Sequence, residues 1–249
     1  MASFIPEGHQ TLTGYPVVQD AAGLIEFLKT AFGAEEKLRT VGGGGGIHAE
    51  MRLADRMLML GGGGKARPMA FHLSVPDVDA TYERAVKAGA IATTPPTDQL
   101  WGERTANIED PFGNRWYLGT RPGDTWFFEG MPVLQPYLHP VDAEPVIDFM
   151  RRSFGAEELG RRTSGEGKII YTTLRMGDST LEISEAQGPY QPMPSMFYLY
   201  VPDVDAAYKK ALQAGATSIS VPADQPYGDR TAAVSDPSSN SWYLATHLK

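Results

Sequence analysis

The sequence predicts an α+β protein built from four βαβββ modules. Three observations carry this expectation. Long motifs recur once along the chain at a near-constant offset. Within each half, an Asp followed by about three helical turns and then Gly-Ala occurs twice. Short apolar or alternating segments fill the intervals, as strands do.

The doubling is plain once the motifs are aligned. AFGAEE at 31–36 returns as SFGAEE at 153–158. VPDVDATYERAVKAGA at 75–90 returns as VPDVDAAYKKALQAGA at 201–216, WGERT at 101–105 as YGDRT at 227–231, and DPFGNRWYL at 110–118 as DPSSNSWYL at 236–244. The last three pairs share an offset of 126 residues, as from Val75 to Val201. Two domains follow, 1–121 and 131–249, joined by a linker at 122–130.

Four helices are expected from Asp20, Asp77, Asp142 and Asp203, each Asp serving as N-cap at the positive end of the dipole. They end at Gly33, Gly89, Gly155 and Gly215, where a left-handed residue closes a helix. Pro145 falls in the first turn of the third helix, where its missing N–H costs little. The strands read as HAEMRL (48–53), RMLML (56–60) and AFHLSV (70–75), with YTTLRM and STLEIS repeating the first two. The glycine runs 42–46 and 61–64 lack the Walker spacing and the Ser or Thr after Lys65, so they are expected as mobile hairpin loops rather than a phosphate cradle.

Composition narrows the classes. The chain has 249 residues, 42% hydrophobic and 21% charged, which suits a soluble globular protein with a real core. The net charge of −8 disfavours phosphate backbones and anionic membrane surfaces, so neither nucleic acid nor membrane is an expected partner. No cysteine is present, which removes thiolate ligands and thiol nucleophiles. The N-terminus shows no signal peptide and no run reaches membrane-spanning length, so a cytoplasmic location is expected.

IPEG at 5–8, FGAEE, HAE at 48–50, VPDVDA with AGA, and GERT with DPFGN together resemble the vicinal oxygen chelate superfamily. This is the glyoxalase, bleomycin-resistance protein and dioxygenase group, and the likeness is to its PhnB-like branch. The resemblance implies two cup-shaped sheets with pseudo-two-fold symmetry. It also implies four inward His, Glu or Gln ligands per metal site. Here the matching positions are Thr13 and Gln135 on the first strands, Ala70 and Met196 on the fifth, Tyr117 and Tyr243 on the last, with Glu50 and Thr173 at the remaining position. Neutral Thr, Ala, Met and Tyr are poor donors for a divalent ion, which leaves Glu50 in one half and Gln135, a weak ligand, in the other, so no cofactor is expected. The alternative is a displaced divalent metal near His48, Glu50 and His72. Relatives of this type also exchange modules, which would place residues 10–62 with 194–247, and 133–186 with 68–120.

Other side chains suggest a binding cup. Arg104 and Arg230 could grip an anion, or pair locally with Glu103/Asp110 and Asp229/Asp236. Trp101, Tyr117, Tyr227 and Tyr243 could form aromatic walls. With His48, Glu50, His72, Gln135 and Tyr198 they make up the expected ligand pocket. The expected function is metal-free binding of a small organic molecule, by a monomeric pseudo-dimer or weak homo-oligomer. The alternative is a metal-dependent lyase or isomerase of the glyoxalase type. No catalytic residue can be named from the sequence.

Overall fold

The computed structural model describes residues 4–120 and 131–248. The expected linker, 122–130, lies outside the described residues. Four βαβββ modules follow one another along the chain. The first holds β1 (Leu12–Gly14), β2 (Val17–Val18), α1 (Ala21–Phe32), β3 (Glu35–Val41), β4 (Ile47–Leu53) and β5 (Arg56–Gly62). The second holds β6 (Ala70–Ser74), α2 (Val78–Lys87), β7 (Ile91–Asp98), β8 (Arg104–Glu109) and β9 (Arg115–Thr120). The third holds β10 (Leu134–Leu138), α3 (Glu144–Phe154), β11 (Glu157–Thr163), β12 (Ile169–Met176) and β13 (Ser179–Ile183). The fourth holds β14 (Met196–Tyr200), α4 (Val204–Gln213), β15 (Thr217–Asp224), β16 (Asp229–Ser235) and β17 (Ser241–His247).

The chain forms two compact units. One runs from Tyr15 to Pro136; the other joins the described residues up to Gly14 to those from Tyr137 onward. In the first unit, β2-β5-β4-β3 form one sheet, and β6-β9-β8-β7 form another beside the opening residues of β10. In the second unit, β14-β17-β16-β15 carry β1 at their edge, and β11-β12-β13 lie beside the end of β10.

The first strand of each half therefore crosses over. β1 runs antiparallel to β14, with Thr13 opposite Tyr198, and the Tyr200 amide donates to the Thr11 carbonyl at 2.8 Å. The matching contact in the first unit is the Ser74 amide to the Val133 carbonyl, also 2.8 Å. Thr11 is further held by Asp178, whose Oδ1 accepts its amide at 2.9 Å. Of the expected exchange of residues 10–62 and 133–186, only the first strands change sides: 15–62 share a unit with 68–120, and 137–186 share one with 194–247.

Local chemistry explains the helices. Asp20, Asp77 and Asp203 accept the amides of Gly23, Ala80 and Ala206 as N-caps. The third helix departs from expectation: its N-cap is Ala143, whose methyl side chain offers no acceptor, and Pro145 in the first turn needs none. Asp142 instead accepts the Glu144 amide at 3.1 Å. Gly33 and Gly155 close α1 and α3 in the left-handed conformation.

The hairpin expectation for the glycine runs is met at 42–46 and corrected at 61–62. Gly61 and Gly62 belong to β5, and Gly42–Gly46 turn the β3–β4 hairpin. A Cβ on Gly46 would lie 2.0 Å from the Gly62 carbonyl oxygen, so only glycine allows the two backbones to meet there.

The doubled DP phrase forms a turn and the last strand of each half. Trp116 and Trp242 are fully buried beneath the helices. Trp116 stacks on Phe71 at 4.9 Å and Trp242 on Phe197 at 4.5 Å. Burying one such ring contributes about 4–6 kcal/mol by area. Asp110 holds the first turn by accepting the Phe112 and Asn114 amides, the Asn114 side chain and the Trp116 indole. Asp236 repeats every one of these bonds. No helix among the described residues is long and apolar enough to cross a membrane.

Candidate functional site

Strand alternation sorts the side chains of each helix-backed sheet into two faces. On β17, Trp242 and Leu244 point to the core under α4, which leaves Tyr243, Ala245 and His247 on the helix-free face. On β14 the same face carries Met196, Tyr198 and Tyr200, and on β16 it carries Asp229 and Thr231. Thr13 joins it from β1, across from Tyr198.

Asp229 is the centre of this face. It is 4% exposed and accepts from three groups: Tyr198 Oη at 3.1 Å, Tyr200 Oη at 3.5 Å and His247 Nδ1 at 2.7 Å. Asp229 and His247 are direct partners across β16 and β17. Tyr227, from the preceding turn, lies close enough to Tyr198 to act on its hydroxyl. Burial pushes the Tyr198 hydroxyl well above the usual tyrosine range, and Tyr200, Tyr227 and the Asp229 carboxylate add to the shift. Tyr198 is thus a fixed neutral donor.

The first unit carries the counterpart. Glu103, 5% exposed, takes the place of Asp229 and accepts Trp101 Nε1 at 3.1 Å. Its Oε1 lies 3.8 Å from His72 Nε2. Tyr117 is opposite His72 in register on β9. Gln135, on β10, is fully buried.

A second polar group lies on β4. Tyr15 Oη meets His48 Nδ1 at 2.7 Å, and His48 Nε2 lies 3.6 Å from Glu50. Its counterpart on β12 is different in kind. Thr173 Oγ1 donates to Tyr171 Oη at 2.9 Å, and Tyr171 donates to Glu182 at 3.0 Å. Burial pushes the Tyr171 hydroxyl up, and the nearby Glu182 charge pushes it further.

Several expected residues come together and others do not. His48 pairs with Glu50, but His72 turns to Glu103 instead. Among the described residues, no group of three or more His, Asp or Glu side chains could hold a metal. Arg104 makes a bidentate bond to Asp79 at 2.6 and 2.8 Å and reaches Asp98 at 2.9 Å. Arg230 does the same with Asp205 and Asp224. These are not the expected partners, because strand alternation turns each Arg toward the helix N-terminus while the preceding acid faces the other way.

Three carboxylates went unread as site residues. Glu103 and Asp229 were visible only as neighbours of an Arg. Glu182 is 1% exposed and faces Thr173 across the β12–β13 pair. Its signal is a lone charge in the short strand STLEI, every residue of which is buried.

Paired βαβββ modules in tandem, with an aromatic and acidic face on each helix-backed sheet, define a class that comparison with known proteins identifies. The chain belongs to the Glyoxalase/Bleomycin resistance protein/Dioxygenase superfamily, whose model matches residues 16–118 and 139–244. It is 42% identical over 123 residues to an uncharacterized protein of Mycobacterium bovis, Mb0911c, covering 43% of this chain and 81% of that one. It is 26% identical over 231 residues to the Mycobacterium tuberculosis protein named "Putative glyoxylase CFP32", covering 88% and 87%. The fold matches glyoxalase I from Zea mays with a TM-score of 0.76 at 19% identity, covering 96% of this chain and 92% of that one.

Proposed function

We propose that the protein binds a small organic molecule, without a metal, on the helix-free face around Tyr198, Asp229 and His247. The observation that carries this reading is Asp229: a buried carboxylate that gathers two tyrosine hydroxyls and a histidine on one sheet face. Such a network is costly to bury for packing alone and suits a site that orients a polar ligand. The Thr13 hydroxyl, buried and without a hydrogen-bond partner among the described residues, supports the same face. Tyr243 supplies a flat apolar wall beside Tyr198.

A metal-dependent glyoxalase-type reaction has less support. Thr13, Ala70, Met196, Tyr117 and Tyr243 lack the donors such a centre needs. The Arg104 and Arg230 side chains are engaged by helix and strand carboxylates, so the reading does without them.

The test is a ligand panel of aromatic and carbonyl compounds followed by calorimetry. Binding should weaken at least about tenfold in Asp229→Asn and Tyr198→Phe, a loss of one charge-assisted hydrogen bond. Equal affinity in all three proteins would move the site elsewhere. Stoichiometric Zn, Ni, Mn or Fe in the purified protein would overturn the metal-free part.

A further inference from the structure

We propose that His247 is a general base, oriented by Asp229, that removes a proton from the bound molecule. This rests on the ligand lying on the face just described.

The argument starts with the imidazole. Its Nδ1 sits 2.7 Å from Asp229 Oδ1. A carboxylate only accepts, so Nδ1 carries the hydrogen and the Nε2 lone pair points away from the acid. Among the described residues Nε2 takes no partner of its own, and the side chain is about one-fifth exposed. Asp229 cannot swing away, because Tyr198 and Tyr200 hold its other oxygen. The result is a dyad with a fixed tautomer, an accessible base and a buried counter-charge for the imidazolium.

The contrast with the other half sharpens the inference. There, His72 presents Nε2 to Glu103, and the acid is also held by Trp101. Position 121, the repeat of 247, is Arg and not His. The dyad therefore belongs to one copy of the duplicated face, which a purely structural network would not require.

The step balances simply. An O–H bond, or a C–H bond next to a carbonyl, breaks in the ligand. The proton passes to Nε2 and the electron pair stays on the ligand as phenolate or enolate. Asp229, which already holds the hydroxyl hydrogens of Tyr198 and Tyr200, then faces a positive ring. The substrate class is a small phenol or carbonyl compound with one acidic proton.

The experiment uses the whole protein with ¹⁵N-labelled histidine, and 4-nitrophenol as probe, since its neutral and ionised forms differ in absorption. Without the probe, long-range ¹⁵N spectra, assigned with His247→Gln, should show the Nδ1–H tautomer in the wild type and its loss in Asp229→Asn. With the probe, the wild type should raise the phenolate fraction below the phenol's own pKa. His247→Gln should abolish that rise while still binding, and Asp229→Asn should reduce it at least about tenfold. An Nε2–H tautomer, or bound 4-nitrophenol that ionises equally with His247→Gln, overturns the base. Failure of every panel compound to bind, with the Nδ1–H tautomer intact, overturns the binding face and not the dyad.

Discussion

Asp236 Oδ2 accepts the indole N–H of Trp242 at 3.0 Å, and Asp110 does the same for Trp116 at the same distance. One carboxylate thereby fixes both the turn and the largest core side chain of each half. Replacing either Asp by Ala leaves four donors without an acceptor, so each variant should lose about 3 kcal/mol in urea unfolding. Asp110→Asn keeps an acceptor oxygen and should cost less. A loss below about 1 kcal/mol in the Ala variants would mean that water replaces the carboxylate.

The two halves solve one packing problem in opposite ways. A Cβ on Gly119 would lie 2.4 Å from Glu103 Oε1 and 3.1 Å from His72 Nε2. In the other half the same place holds Ala245, and the acid is the shorter Asp229. Gly119→Ala alone should destabilise by about 1–3 kcal/mol through overpacking. Adding Glu103→Asp should restore most of that loss. A double-mutant cycle with no coupling between the two positions would refute the compensation.

Acid stability should depend on Glu36. Arg39 and Lys29 hold its carboxyl at about 2, below the usual 4.5. In that interval the unfolded chain binds a proton that the native state does not, so stability rises with pH there. The contribution is full above 4.5 and is lost as the pH falls to about 2. Glu36→Gln should flatten the stability profile in this window, followed by circular dichroism at each pH. An unchanged slope would show that solvent screens the cluster.

Arg104 and Arg230 each clamp an acid in the first turn of a helix to an acid on a neighbouring strand. Exposed pairs of this kind add little stability. Arg104→Gln and Arg230→Gln should lower the melting temperature slightly and leave ligand affinity unchanged. A selective loss of affinity would return these residues to the binding face.

Much of the fold was legible because it is written in local patterns. The Asp caps mark three helices, the glycine stops and the helical spacing mark all four, and the doubled phrases mark the duplication. The third helix starts one residue later than read, with Asp142 accepting the Glu144 amide from just before the Ala143 cap. The candidate site was legible only in part. Tyr198, Tyr227, Tyr243, His72 and Trp101 were read as pocket residues, and they do share faces with buried acids. The acids themselves were missed, since GER and GDR put an acid beside an Arg in sequence while the pleat sends the two side chains to opposite faces. His247 had no motif to mark it, as its partner becomes a neighbour only through the β16–β17 register.

The crossing of β1 also sets a schedule for synthesis. Thr11 and Asp178 are 167 residues apart in sequence, and Leu12 pairs with Leu199 later still. At about 5–20 residues per second, a ribosome needs roughly 10–40 s to travel from one to the other. During that interval the N-terminal strand has no partner of its own chain, while the segment that follows it can already fold. A nascent chain stalled near residue 130 should therefore carry a protease-sensitive N-terminus, and a neighbouring nascent chain that supplies its β14 first would yield two entangled chains.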